Sequence, residues 1–166
     1  MKYTICDSSI QSGGIWDGPF LKRLAFSFVP VIIGGIYMYM NREWYENNVL
    51  KHPWTLPLFT TFIIYVIIAI VIAYIWYRID QMCYANPVVF DVLFSMLLAV
   101  ETFFFFSYFG QHDLEAGKIF AMFMAILLIV ISIQIFQVHR PFGYILIVIM
   151  IAFIVQSRIL YATFVQ

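Results

Sequence analysis

Five long apolar blocks, separated by short polar stretches, dominate the pattern of hydrophobic and polar positions along the chain. Each block approaches the roughly 20 mostly apolar residues that a helix needs to cross a bilayer. The blocks cover residues 22–41, 55–78, 87–109, 119–138 and 141–164. Their apolar residues are continuous and do not alternate. The pattern therefore excludes membrane strands and predicts helices, whose backbone groups bond within each segment.

Short connections between the blocks predict how these helices are arranged, because brief links make consecutive helices antiparallel neighbours. We expect an all-α polytopic membrane protein, a compact bundle of five transmembrane helices. Residues 1–20 form a polar N-terminal segment that lacks the apolar core of a cleavable signal peptide, and residues 21–166 form a single domain. Gly34 and Gly35 favour close helix packing in the first block. Trp76 is expected as an interfacial anchor at the end of the second.

The composition supports a chain surrounded by lipid. Of its 166 residues, 64% are hydrophobic and only 11% are charged, whereas soluble domains carry about 25% charged residues. The formal net charge is zero, so the chain lacks the basic surface of a nucleic-acid-binding protein. Cys6 and Cys83 are far apart in sequence and indicate neither a disulfide framework nor a redox pair. The distribution of Lys and Arg leans weakly toward a cytoplasmic N-terminus.

Ionisable residues within the apolar blocks are the first candidates for function, because a charge at the centre of a bilayer costs at least about 2.5–3.5 kcal/mol. Asp91 lies near the start of its block and is interpreted as a solvated helix end. Glu101 lies near the middle of the same block and must face the bundle interior. It either lines a pocket or is a neutral carboxyl bonded to a neighbouring helix. Its candidate partners are Gln134, Gln156, Tyr65 and Ser95.

Metal and catalytic chemistry find little support in the sequence. His52, His112 and His139 lie in loops or at helix ends, so a haem held between two histidines inside the bundle is not expected. No metal-ligand spacing, phosphate-binding glycine loop or catalytic triad can be assigned. An enzymatic activity is therefore not favoured.

The polar stretch of residues 42–57 concentrates unusual side chains between the first two blocks. It holds two of the four tryptophans, Trp44 and Trp54, and two of the six prolines, Pro53 and Pro57. The prolines restrict the backbone on both sides of Trp54. We expect an ordered loop that folds back over one end of the bundle. The alternative is a simple interfacial turn with aromatic anchors.

The order of residues in this loop resembles the signature of the translocator protein family, the tryptophan-rich sensory proteins and peripheral-type benzodiazepine receptors (TspO/MBR). That signature is roughly W-Y, four residues, then K-P-x-W-x-P-P. This chain has Trp44-Tyr45, five residues, and then K-H-P-W-T-L-P at positions 51–57. The chain length, the number of predicted helices and the position of the loop also agree. The resemblance covers about residues 21–165 and is that of a divergent member.

The resemblance implies a bundle that binds a lipophilic ligand in an internal pocket closed by the loop. The family binds cholesterol and other sterols, porphyrins including haem, and benzodiazepine-site compounds, and its members often form homodimers. The membrane would be the mitochondrial outer membrane or another intracellular membrane in a eukaryote or virus, and the cell envelope in a bacterium. The candidate ligand-binding residues, including two interior ones, are Trp44, Tyr45, Lys51, Pro53, Trp54, Pro57, Tyr65 and Glu101.

Two other functions stay open at the level of sequence. Adaptable apolar faces and few buried polar groups would suit a structural or assembly subunit of a larger membrane complex. A small proton-coupled carrier would use Glu101 and would need to oligomerise to enclose a path.

Overall fold

The fold is built from long helices joined by short connections. A computed structural model describes residues 18–48, 56–82 and 85–164, with side chains described up to residue 154. The helices are α1 (Gly18–Met40), α2 (Arg42–Asn48), α3 (Leu58–Asp80), α4 (Pro87–Phe105), α5 (Leu114–Val138) and α6 (Arg140–Phe164). A π-helical turn, Phe106–Gly110, continues α4. The predicted all-helical architecture is confirmed for the described part of the chain.

Four helical segments within the described residues are long and apolar enough to cross a membrane. They are Gly18–Met40, Leu58–Asp80, Pro87–Gly110 and Leu114–Val138. The described part of α6 adds a shorter apolar helix, Arg140–Ile154. The chain therefore has the features of a multi-pass helical membrane protein.

Local capping explains where the helices differ from the apolar blocks. Helix α5 begins five residues before the block predicted at residue 119, because the Asp113 side chain accepts a hydrogen bond from the Ala116 amide at 3.0 Å. This first turn is polar, so hydropathy alone does not find it. Helix α4 begins at Pro87, as predicted, and Asn86 caps it by accepting from the Val88 amide. Helix α3 begins at Leu58, after Pro57, and not at residue 55.

The long helices form a bundle in which α1 packs against both α3 and α4, α4 against α5, and α5 against α6. Helix α6 returns to α3 through two aromatic pairs, Tyr65 with Phe153 and Tyr74 with Phe142. Buried Phe, Ile and Leu side chains fill the interior. Apolar residues also cover the outer faces, for example Phe26, Ile32, Ile67, Met122 and Val148. An apolar outside as well as an apolar inside is what a lipid environment requires.

Gly34 and Gly35 allow α1 to approach its neighbours closely, which confirms the packing use predicted for them. A Cβ atom at Gly34 would lie 2.7 Å from the ring of Phe105 on α4, and one at Gly35 would lie 2.7 Å from the ring of Phe62 on α3. Phe105 is itself fully enclosed in the core. The absence of a side chain at Gly34 therefore sets the distance between α1 and α4.

A charged cluster ties α1, α3 and α4 together at one end of the bundle. The Arg23 guanidinium donates to Asp80 Oδ2 from Nε at 2.9 Å and from Nη2 at 2.6 Å, and its Nη2 lies 2.7 Å from Asp91 Oδ1. The indole of Trp76 donates to the same Asp91 oxygen at 2.8 Å. The guanidinium carbon also lies 4.3 Å from the centre of the Trp76 ring, within cation–π range. We call Arg23, Asp80, Asp91 and Trp76 the clamp, and this end of the molecule the clamp end.

The clamp corrects one interpretation of the sequence and extends another. Trp76 was expected as a headgroup anchor, but its ring is buried and stacks on Phe94 at 5.2 Å. Its indole N–H donates to the Asp91 carboxylate inside the protein, so it does not require a hydrogen-bond partner at the membrane surface. Asp91 does lie at a helix end with 42% of its side chain exposed, as predicted. The structure adds that the Arg23 guanidinium and the Trp76 indole both engage it.

Substitution of Gly34 tests the close contact of α1 and α4. Gly34→Ala should lower the melting temperature in detergent by several degrees, because overpacking a filled core costs about 1–3 kcal/mol and the gain in helix propensity returns only about 1 kcal/mol. Thermal unfolding followed by circular dichroism is the measurement. Gly18→Ala is the matched control, since its Cβ would meet no atom within 4 Å. Equal melting temperatures for the two variants would contradict the packing argument.

Removal of the Arg23 guanidinium tests whether the clamp stabilises the fold. Arg23→Met leaves two partly buried carboxylates facing one another, and should destabilise the protein by about 1.5–3 kcal/mol, the usual contribution of hydrogen bonds to charged groups. Adding Asp80→Asn to that variant should restore part of the loss, because one charge is then removed. Arg42→Met, which breaks an exposed pair with Glu46, should leave the melting temperature unchanged. A similar loss from Arg23→Met and Arg42→Met would refute a structural role of the clamp.

Candidate functional site

Helix α2 closes the other end of the bundle, which we call the lid end. The chain leaves α1 through Asn41, whose amide donates to the Tyr37 carbonyl at 3.0 Å, and the Tyr45 amide donates to the Asn41 carbonyl at 3.1 Å. The Asn41 side chain also donates to the Tyr37 carbonyl. These bonds fix the turn that directs α2. The segment that the sequence predicted as an ordered loop is thus a short helix in its first half.

Two neighbouring aromatic residues of α2 pack on the end of α4. The Trp44 ring stacks on His112 with ring centres 4.2 Å apart, and meets Tyr108 edge-to-face at 5.9 Å. Tyr45 is buried and stacks on Phe109 at 5.8 Å. Aromatic pairs in these geometries contribute about 0.5–1.5 kcal/mol each beyond the area they bury. We call α2 with these contacts the lid.

The π-helical turn provides the surface on which the lid rests. In it three successive side chains, those of Ser107, Tyr108 and Phe109, are buried. A regular α-helix would rotate one of the three toward lipid, whereas a π turn widens the backbone and is frequent at functional sites. Nothing in the apolar run that precedes it marks this turn in the sequence.

His112, in the link between α4 and α5, contacts the lid through a hydrogen bond and a ring contact. Its Nε2 lies 3.1 Å from Asn41 Oδ1. Because the Asn41 amide nitrogen already donates to Tyr37, the oxygen must accept, and the hydrogen-bond network assigns the proton to Nε2 of His112. His112 also adopts a left-handed backbone conformation, with φ of 58°, which is uncommon for a residue with a side chain. This residue had no role in the sequence prediction beyond its place in a loop.

Tyr45 ties the lid to the start of α3. Its phenol donates to the Leu56 carbonyl at 3.0 Å, one residue before Pro57, which precedes the helix. Burial raises the pKa of the Tyr45 phenol above its usual value near 10, while a hydrogen bond with Thr61 lowers it. The phenol therefore stays neutral, and its stabilising contribution is lost only as the pH rises through that elevated pKa.

Three of the candidate ligand-binding residues, Lys51, Pro53 and Trp54, lie outside the described residues. The candidates that the structure describes all lie toward the lid end of the bundle. Trp44 and Tyr45 belong to the lid, and Pro57 follows the carbonyl that Tyr45 binds. Tyr65 and Glu101 lie deeper, beneath the same end of the bundle.

Beneath the lid, polar groups face one another in an aromatic interior. Glu101 is only 4% exposed, which confirms that it faces the interior, and it lies about 4 Å from the middle of the span that contains α4. The Tyr65 ring of α3 packs on Phe105 at 4.8 Å, and Phe105 lies one helical turn from Glu101 on the same face of α4.

The partners proposed for Glu101 from sequence are partly wrong. Gln134 and Ser95 are exposed on the outside of the bundle, and the side chain of Gln156 lies beyond the described ones. Tyr65 is buried and packs on Phe105, one turn of α4 from Glu101. Tyr108, which the sequence did not single out, is 3% exposed, and its hydroxyl has no hydrogen-bond partner within the described structure.

The chemistry of this interior is that of hydrogen-bonding groups in an aromatic setting. No group of three His, Cys, Asp or Glu residues within the described ranges is placed to hold a metal ion. What the lid encloses is one carboxyl and several phenols among aromatic rings. Such a set can accept and donate hydrogen bonds to a ligand whose remaining surface is apolar.

Comparison with known proteins assigns no family to the chain. No protein-family model matches it, and no curated protein and no solved structure matches it either. The resemblance to the translocator proteins therefore stays an expectation drawn from the loop residues. The function has to be argued from the geometry of the lid and the groups beneath it.

Removing the Tyr45 hydroxyl should loosen the lid without removing its ring. In Tyr45→Phe the Leu56 carbonyl loses its donor, and trypsin should cleave after Arg42, at the start of the lid helix, several times faster than in the wild-type protein, since such a bond contributes about 0.5–1.5 kcal/mol. Tyr39→Phe is the matched control, because Tyr39 is 81% exposed at the same end. Unchanged cleavage in Tyr45→Phe would show that this hydrogen bond does not hold the segment.

Proposed function

We propose that this protein is a multi-pass membrane protein that binds a lipophilic molecule inside its helix bundle, beneath the lid. We include α6 as a fifth membrane-spanning helix, with the bundle as the binding domain. The observation that carries the proposal is the lid itself: Trp44 and Tyr45 of α2 pack over buried polar groups at one end of the bundle. The loop motif that resembles the translocator family contributes these same two residues.

A purely structural bundle has no need for the groups beneath the lid. A carboxyl in a membrane span is costly, and a buried polar group that lacks a partner costs about 1–3 kcal/mol. Glu101 carries the first of these costs, and the Tyr108 hydroxyl carries the second. A ligand with a polar group would give them partners when it binds, and that supports binding over a subunit role.

The class of ligand follows from the lining. Tyr65, Phe105 and Tyr108 bring aromatic rings together in this interior, and aromatic rings suit the flat ring systems of sterols and porphyrins. These are also the ligands that the resemblance implies, and a homodimer in an intracellular or bacterial membrane is expected on the same ground.

Titration with protoporphyrin IX tests the proposal. The purified protein in nanodiscs should take up the porphyrin saturably at micromolar concentration, and cholesterol should compete. Trp44→Ala should weaken the affinity about tenfold, because a well-packed aromatic anchor commonly contributes more than 1 kcal/mol. The fluorescence of the porphyrin itself is the readout, so the loss of an indole does not disturb it.

Tyr39→Ala provides the control, since it removes an exposed aromatic ring from the same end of the bundle. It should bind as the wild-type protein does. Linear uptake that is identical in the wild-type protein and Trp44→Ala would mean partition into lipid only. Stable co-purification with other chains, together with that result, would favour the assembly-subunit alternative.

A further inference from the structure

The lid rests against a histidine, the side chain that ordinarily gains or loses its charge between about pH 5 and 8. That residue, His112, is exposed at the lid end, so protons from the solvent can reach its ring. We propose that His112 makes closure of the lid depend on pH, because its protonated ring holds α2 more strongly than its neutral ring does. This behaviour belongs to the lid itself, and only its effect on ligand entry rests on the proposed function.

The first observation is how firmly the backbone positions His112. The Gln111 amide donates to the Phe106 carbonyl at 3.0 Å. The Asp113 amide donates to the Ser107 carbonyl at 2.9 Å. The residues on both sides of His112 are thus tied to the π-helical turn, and His112 between them has a φ of 58°. Histidine is one of the few residues with a side chain that are enriched in this left-handed region. The imidazole therefore meets the lid from a fixed position.

The second observation is that His112 meets the lid through two contacts, both of which a positive charge strengthens. Its Nε2 donates to Asn41 Oδ1 at 3.1 Å, and a charged donor forms a hydrogen bond about twice as strong as a neutral one. Its ring lies on the Trp44 indole with ring centres 4.2 Å apart and an angle of 12° between the planes. Tryptophan is the aromatic residue that attracts a cation best. The added proton binds at Nδ1, so the Nε2 donor stays in place.

The other titratable groups around His112 ordinarily keep their charge near neutral pH. The titratable and charged residues of the elements packed around it are Tyr37 and Tyr39 of α1, Arg42, Glu43, Tyr45 and Glu46 of α2, Tyr108 of the π-helical turn, and Asp113, Glu115 and Lys118 at the start of α5. Carboxyl groups ordinarily change charge below about pH 5, and phenols, lysine and arginine above about pH 9. A response of the lid between about pH 6 and 8 therefore points to a histidine.

The direction of the response follows from linkage. Because charge strengthens both contacts of His112, the closed lid binds the proton more tightly than the open lid, and protons favour the closed lid. The added stability is present on the acid side of the histidine range and is lost as the pH rises through that range. Attraction of an exposed cation to an aromatic face corresponds to about two- to fivefold in an equilibrium constant.

Hydrogen–deuterium exchange of the α2 amides, measured by mass spectrometry on the protein in nanodiscs, tests the proposal at about pH 6 and pH 8. After correction for the intrinsic effect of pH on exchange, the wild-type lid should exchange about two- to fivefold more slowly at the lower pH. His112→Asn suits the left-handed backbone but carries no charge, and it should exchange equally fast at both. His112→Arg keeps a cation that can stack on the indole, and it should be as protected at both as the wild-type protein is at the lower pH.

Three further variants control for other sources of pH dependence. His52→Gln and His139→Gln remove the other two histidines of the chain, and both should retain the wild-type response. Trp44→Leu removes the aromatic face and leaves the hydrogen bond to Asn41, so it should reduce the response.

Equal exchange at both pH values in the wild-type protein would overturn the proposal. A pH dependence that persists in His112→Asn, or that disappears in His139→Gln, would overturn it as well. Exchange of His112→Arg as fast as that of His112→Asn would show that the histidine ring, and not its charge, holds the lid, which also contradicts the proposal.

Release of bound cholesterol, an uncharged probe, separates this inference from the proposed function. Release that slows at the lower pH together with lid exchange supports both. Release that is independent of pH, while lid exchange depends on pH, would leave the role of His112 standing and would count against a ligand site beneath the lid.

Discussion

A hydrocarbon environment offers no hydrogen-bond partners, so each polar group of this chain must find its partner inside the protein or reach the membrane surface. The rest of the structure depends on how that constraint is met. At the clamp end Arg23, Asp80, Asp91 and Trp76 engage one another across three helices, but Asp80 Oδ1 and Arg78 Nε lack a hydrogen-bond partner among the described residues. At the lid end the constraint is also met only in part. The Tyr108 hydroxyl is buried without a partner among the described residues, and the buried Glu101 carboxyl enters none of the ion pairs described there.

The two ends consequently differ in kind. The clamp joins α1, α3 and α4 through charged groups whose separation would leave carboxylates unpaired, and Gly34 brings the same α1 and α4 into contact further along. The lid is held by ring contacts, by one hydrogen bond from Tyr45 and by one from His112. Contacts of this type are individually modest and can be exchanged for contacts with a ligand. The clamp end is thus held by charged groups, whereas the contacts at the lid end are individually weaker.

A structural feature could be predicted from the sequence only where it depends on residues close together in the chain. Long apolar runs predicted the helical architecture, because length and hydropathy are properties of single segments. They missed the polar first turn of α5, where Asp113 and Glu115 interrupt the hydropathy but not the helix. Glu101 was placed in the interior by the cost of exposing it to lipid. The neighbours of Glu101 could not be predicted in the same way. Both faces of these helices are apolar, so the sequence has no periodicity that shows which face of α5 points inward. Gln134 was therefore predicted to face the interior, whereas it is exposed.

Contacts between distant segments leave no local signal at all. Arg23 and Asp80 are 57 positions apart, and neither stands out from the basic and acidic residues that flank membrane helices. The left-handed backbone at His112 and the π turn before it likewise depend on how α4 and α5 meet. The aromatic residues of the lid were an exception, since Trp44 and Tyr45 stand in a polar stretch where tryptophan is conspicuous.

The asymmetry of the bundle also bears on which kind of function its interior can serve. A carrier that moves a substrate across the membrane must expose its site to each side in turn. Here Glu101 lies beneath the lid, whereas the opposite end is closed by the stacked rings of Trp76 and Phe94 and by the Arg23 ion pairs. To open that end, the protein would have to separate one guanidinium from two carboxylates in a partly buried setting. Opening the lid requires the exchange of ring contacts and of two hydrogen bonds, those of Tyr45 and His112. On the proposed function, a ligand would enter and leave by the lid end, because separating the clamp is the costlier of the two openings.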